Sequence, residues 1–153
     1  MRLYLAGSVA GRSTKDVREQ RLAAAAAIRA RGWTPVDPIN GEYEALKRRR
    51  KIDDADSGLS PTSIALKDRF QIDHVDVVLW LTADVASYGS CMEAGYAWAR
   101  GTAIIAVDAA RTGRRNAFVQ HCCMYIADNL DEALDFIGDY LAEPALEASH
   151  RAN

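Results

Sequence analysis

The run Val75–Leu81, which closes on Val77-Val78-Leu79-Trp80-Leu81, constrains the fold more than any other stretch of this chain. An unbroken apolar strand has no face to give to water, so it belongs in the middle of a sheet covered on both sides, the parallel arrangement of α/β proteins. Thr102–Val107 is a second run of this kind, and Arg2–Ala6 is a shorter strand at the start of the chain. Helix-forming segments lie between them. The Ala-rich stretch from Lys15 to Arg31 is ended by Gly32, Trp33–Val36 forms a further strand, and Asp37-Pro38 breaks it. Ser63–His74 leads as a helix into Val75–Leu81, and a small-residue helix containing Glu93 runs to Arg100 and is capped by Gly101. Ala117–Cys123 reads as a short helix, Met124–Ala127 as a last strand and Leu130–Leu141 as an amphipathic helix. The alternation predicts an α/β fold, a doubly wound, flavodoxin- or Rossmann-like five-stranded parallel sheet with helices on both faces and right-handed crossovers. Such sheets bind ligands beyond the carboxyl ends of their strands, where the turns Gly7–Thr14, Thr82–Ser90 and Asp108–Asn116 meet.

With 153 residues, 49% of them apolar, the chain can bury one core and is too short for two ordinary domains. The expected domain is 1–142, followed by a frayed tail at 143–153. A polar segment from Ile39 to Thr62 carries the basic run Lys47–Lys51, which is either a solvated face or a means of steering anions toward the cleft. The formal net charge of -2 argues against a nucleic acid polymer as partner. No stretch approaches a bilayer span and the chain opens on a strand rather than a signal peptide, so a cytoplasmic protein without a membrane partner is expected. Cys91, Cys122 and Cys123 read as reduced thiols, and His74 and His121 lack partners at metal-binding spacing. No metal or other cofactor is expected. Trp80 and Trp98 read as core, whereas Tyr88 could stack on a base.

One carboxylate stands in the segment after the central strand, and it has two readings. Ser90-Cys91-Met92-Glu93 fits an S-x-x-E capping box, in which Glu93 bonds back to the Ser90 N–H and only starts a helix. Alternatively, Ala94, Gly95 and Ala97 let this helix approach the sheet and aim Glu93 into the cleft, with the helix dipole favouring the ionised form that a nucleophile requires. After the first strand, Gly7, Ser8, Gly11 and Arg12 offer N–H groups, a hydroxyl and a cation for a phosphate. They fit equally an ordinary turn with Ser13 as N-cap. The segment is neither G-x-G-x-x-G nor G-x-x-x-x-G-K-[ST], which leaves dinucleotide and nucleoside triphosphate sites unsupported.

Tyr4-Leu5-Ala6-Gly7, then Asp68 ahead of Val75–Leu81, then Ser87-x-Gly89-x-x-x-Glu93-x-Gly95-Tyr96-Ala97 together resemble the nucleoside 2-deoxyribosyltransferase family. Its relatives include nucleoside 5'-monophosphate N-glycosidases, and the resemblance spans residues 1 to 142. It implies that Glu93 attacks the anomeric carbon and forms a glycosyl ester, which water or a second base resolves. An oxocarbenium-like transition state needs such a carboxylate, and a covalent intermediate divides one hard displacement into two easier ones. The resemblance further implies that Tyr4 orients the nucleophile and that Asp68 binds sugar hydroxyls and assists the leaving base. Asp73 and Asp76 are the neighbouring alternatives to Asp68, with Asp76 reading as the start of a strand.

Ser87 falls where the family reads the 5' end of its substrate, and Gly89 of the same motif is a further expected substrate-binding residue. In transferases acting on free nucleosides the place of Ser87 resembles an aspartate that grips the 5'-hydroxyl, whereas the monophosphate hydrolases carry serine. A carboxylate repels a phosphate that a hydroxyl can bond. Ser8 points the same way; Ala10 does not, because those hydrolases tend to place an arginine there, a part Arg12 could take. Asn116-Ala117-Phe118 resembles the Asn-x-Met element that transferases insert into a neighbouring subunit, which implies a homo-oligomer; Asn116 also reads as a helix cap. The reading reached is an enzyme that cleaves the N-glycosidic bond of a nucleoside or, in preference, a nucleoside 5'-monophosphate. A nucleotide-binding or sensory module that uses the same cleft without turnover is the alternative, and a flavodoxin-like domain is disfavoured for want of a hydroxyl-rich phosphate loop.

Overall fold

A computed structural model describes residues 1–9, 12–39, 61–82 and 87–142. Ala10, Gly11, the basic run Lys47–Lys51 and the tail 143–153 lie outside the described residues. The elements follow one another as β1 (Arg2–Gly7), α1 (Thr14–Ala30), β2 (Thr34–Val36), α2 (Pro61–Ile72), β3 (Val77–Leu81), α3 (Tyr88–Ala99), β4 (Ala103–Val107), a 3-10 turn at Gly113–Arg115, α4 (Ala117–Cys122), β5 (Tyr125–Ala127) and α5 (Leu130–Tyr140). All strand pairs are parallel, in the order β2-β1-β3-β4-β5. This is the doubly wound sheet the sequence predicts, and its order reverses between β1 and β3, the switch point at which such sheets bind ligands.

Every residue of β3 is buried, as its lack of polar positions requires. Leu3, Leu5, Leu79 and Ile105 pack beneath α1 and α5 on one face, while Tyr4, Ala6, Val78, Trp80 and Ile104 pack beneath α2, α3 and α4 on the other. Helix ends follow their local signals. Ser13 accepts from the Asp16 N–H at 3.1 Å to cap α1, and Gly32 and Gly101, with φ of 75° and 74°, turn the chain out of α1 and α3. Strand β3 starts later than the apolar run suggests because Asp76 turns its carboxylate to the Arg2 N–H at 2.6 Å.

Two details of register place the site. Strand β2 ends at Val36, paired with Tyr4, whereas β1 continues to Gly7, paired with Leu81 of β3. Among the described residues, the last residues of β1 therefore have a strand on one side only. Gly7 is also held close to β3, since a Cβ there would lie 3.0 Å from the Leu81 carbonyl oxygen and 3.3 Å from its Cβ. Backbone at the sheet centre has little room to yield, so Gly7→Ala is expected to cost about 1–3 kcal/mol. Urea unfolding should show this as a lower midpoint at unchanged slope.

Candidate active site

Glu93 reaches the switch point from α3. Ser87, extended at φ -119° and ψ 118°, is the N-cap of this helix and accepts from the Ser90 N–H at 3.5 Å. The helix thus begins earlier than the S-x-x-E motif suggests. Ser90 lies inside its first turn and donates its hydroxyl proton to the Ser87 carbonyl at 3.1 Å, so no capping box forms. Glu93 is left free of the backbone, and its Oε1 accepts from the Tyr4 hydroxyl at 3.1 Å. Tyr4 is fully buried on β1, so a central strand fixes its hydroxyl.

The electrostatics also differ from the sequence expectation. Burial, and then the charge of Asp68, push the Glu93 carboxyl up to about 7, against the Tyr4 hydrogen bond and the positive charges of Arg21 and Lys67. The helix dipole was expected to favour the ionised form, but its influence fades beyond the first turn and Glu93 sits in the second. Burial and the same two carboxyl groups raise the Tyr4 phenol far above its ordinary value, keeping it a hydrogen-bond donor. Asp68, half-buried on α2, is therefore part of the cluster through its charge. Lys67 Nζ stands 3.4 Å from Asp68 Oδ1 and donates to the Pro38 carbonyl at 2.6 Å, tying α2 to the chain that leaves β2.

The remaining expected site residues are placed as follows. Gly7 ends β1, Ser8 is buried just beyond it, and Gly89 is exposed in the first turn of α3. Arg12 donates to Gln20 Oε1 at 2.5 Å, which ties it to α1 rather than joining it to the Tyr4–Glu93 pair. Asn116 caps α4 by accepting from Phe118 N at 2.9 Å and Val119 N at 3.3 Å. Asp73 bonds Tyr96 Oη and Arg100 Nε, both at 2.9 Å, and Asp76 holds the start of β1, so neither replaces Asp68. Trp80 is core as expected; Trp98 is not, being half exposed with its ring against His121.

Sequence reasoning missed two polar groups that shape this edge. Arg21 is buried on α1, in the stripe Val17–Arg21–Ala24–Ile28, where an arginine among apolar neighbours was the available signal. Asp108, buried after β4, organises the third turn by accepting from Thr82 Oγ1 at 3.0 Å, Thr112 N at 3.1 Å and Arg114 N at 2.9 Å. Burial opposes its ionisation, but the N–H groups of Gly113 and Arg114 outweigh burial and hold its carboxyl below the usual range. The Cys123 thiol is pushed up to about 12 by burial, which makes it inert. Among the described residues, no three His, Cys, Asp or Glu side chains gather to hold a metal ion, and no helix is long and apolar enough to cross a membrane.

A 2-1-3-4-5 parallel sheet with a part-buried acid–tyrosine pair near its switch point defines a doubly wound α/β protein. The chain belongs to the nucleoside 2-deoxyribosyltransferase family, whose model matches residues 3–131. Solved structures that share its fold include two at 18% identity each. The Clostridium botulinum CMP N-glycosidase BcmB matches with a TM-score of 0.59 over 92% of this chain and 100% of its own. A conserved protein from Enterococcus faecalis V583 matches with a TM-score of 0.67 over 92% of this chain and 98% of its own. No curated protein matches.

Proposed function

We propose that the protein cleaves the N-glycosidic bond of a nucleoside 5'-monophosphate, with Glu93 as nucleophile. The family supports a nucleoside or nucleotide substrate and an N-glycosidase- or deoxyribosyltransferase-like enzyme, and the observation that carries the residue assignment is the bond from Tyr4 Oη to Glu93 Oε1 at the switch point. Tyr4 occupies one carboxyl oxygen and leaves the other to attack C1'. As the C1'–N bond breaks, its electron pair leaves with the base, which takes up a proton, and a glycosyl ester forms on Glu93. Water then attacks C1', giving the free sugar phosphate and returning the carboxylate; a second base in place of water gives base exchange. In this reading Asp68, whose charge acts on Glu93, binds sugar hydroxyls.

The preference for a monophosphate rests on Ser8 and Ser87. Capping α3 uses a lone pair of Ser87 Oγ and leaves its proton available for a phosphate oxygen at the positive end of a twelve-residue helix. Released base, followed chromatographically over a panel of deoxynucleotides, ribonucleotides and nucleosides, tests the reading. Tight binding without release across the panel would instead make the chain a nucleotide sensor.

The working form in this reading is a homo-oligomer. The outward stripe of α3 is Tyr88, Cys91, Met92, Gly95 and Trp98, without a charge, and Leu66, Phe70 and Phe118 stand exposed on the flanking helices. A second copy seated there would cover these groups, with Gly95 admitting a close helix approach and Asn116 brought near the neighbouring cleft. Nothing lies within 4 Å of a Cβ at Gly95, so Gly95→Arg should leave the fold intact and even favour the helix. Sedimentation is expected to show an oligomeric wild type and a monomeric variant; an unchanged sedimentation coefficient would reject this surface.

A further inference from the structure

Where β2 stops at Val36, the carbonyl groups of Leu5 and Gly7 continue along β1 with no strand beside them on the β2 side among the described residues. Arg21 takes both, donating from Nη1 to the Leu5 oxygen at 2.8 Å and from Nη2 to the Gly7 oxygen at 3.2 Å. The arginine is 3% exposed. Its charge is met by Asp37, the first residue after β2, whose Oδ1 lies 2.8 Å from Nη1 and also accepts from the Ile39 N–H at 3.1 Å. A buried ion pair is poor value for stability alone, because apolar side chains of similar volume often serve as well. The rest of the α1 stripe is apolar, so this planar, multiply bonded fork points to a different task. Trans peptide geometry carries the hold across the strand: with the Gly7 carbonyl held by Arg21, the N–H of Ser8 in the same peptide points the opposite way, toward β3.

We infer that Arg21, clamped by Asp37, is a positioning residue that stands in for the missing end of β2, fixes the end of β1 beside the Tyr4–Glu93 pair and sets a permanent positive charge behind the nucleophile. Among the described residues, the groups acting on Glu93 are Tyr4 from β1, Asp68 and Lys67 from α2, and Arg21 from α1; Asp68 opposes ionisation, while the Tyr4 hydrogen bond, Arg21 and Lys67 favour it. The role in turnover rests on the base-releasing reading, but the effect on Glu93 does not.

Carboxyl-labelled glutamate NMR, with the Glu93 signal assigned by its loss in Glu93→Gln, reads the titration directly, and pH-dependent base release reads its consequence. In Arg21→Met the Glu93 midpoint should rise, kcat should fall about tenfold or more through misplacement, and the acid limb of the rate profile should move up with the midpoint. Arg21→Lys should restore part of each. Asp37→Asn leaves the arginine uncompensated and should move the midpoint down, an opposite sign that loosened packing does not produce. It carries the test by itself if Arg21→Met fails to fold. Wild-type titration of Glu93 in the folded variants would overturn the inference, and wild-type protein that releases no base would overturn only the proposed activity.

Discussion

Glu93→Gln should abolish base release and at the same time make the protein more stable. Removing a catalytic nucleophile lowers turnover by a factor on the order of 10⁴ or more, and an amide cannot form the glycosyl ester. The stability gain follows from the raised carboxyl. Between the ordinary glutamate value of 4.5 and about 7, the folded protein holds a proton that the unfolded chain has released. Stability therefore falls as pH rises through that window, reaching a penalty on the order of 3 kcal/mol above it. Glutamine carries no such penalty and can still accept from Tyr4. Thermal melts should show the variant more stable than wild type at pH 8 and level with it near pH 4. Wild-type kcat/KM should fall about tenfold per pH unit below 7, as the nucleophile gains its proton. Full turnover in Glu93→Gln would remove this mechanism.

The carboxylate that makes this trade was visible in the sequence, but its environment was not. Val77–Leu81 declared a strand buried on both faces through composition alone, and the five strands follow from such local signals. Glu93 required more. A motif read along the chain pairs it with Ser90, three residues away, whereas its partner in the structure is Tyr4, 89 residues away on the first strand of the fold. The charge state reverses for the same reason: the dipole argument is local, while burial and the approach of Asp68 are consequences of packing. Arg21 was hidden within a helix that reads as ordinary, because its meaning depends on where β2 ends, and register is set only when strands pair. Asn116 shows the converse. Its local reading as a cap is what the structure contains, and any reach into a second subunit depends on an assembly that one chain cannot display.

Ser87→Asp should turn the preference from monophosphate toward free nucleoside. Aspartate caps a helix as well as serine does, so α3 and the position of Glu93 should survive, and melting should change little. What changes is the charge offered to the 5' end of the substrate. A carboxylate within about 4 Å of a phosphate, at the effective dielectric of a partly buried site, costs on the order of several kcal/mol; after solvent relaxation, a loss of about 10²-fold in kcat/KM for the monophosphate is a fair expectation. The free nucleoside should be spared, because its 5'-hydroxyl can donate to the new carboxylate. The ratio of the two kcat/KM values, measured on one base, isolates this effect from any general damage to catalysis. An unchanged ratio would place the phosphate away from Ser87 and leave Ser8 and the end of β1 to hold it.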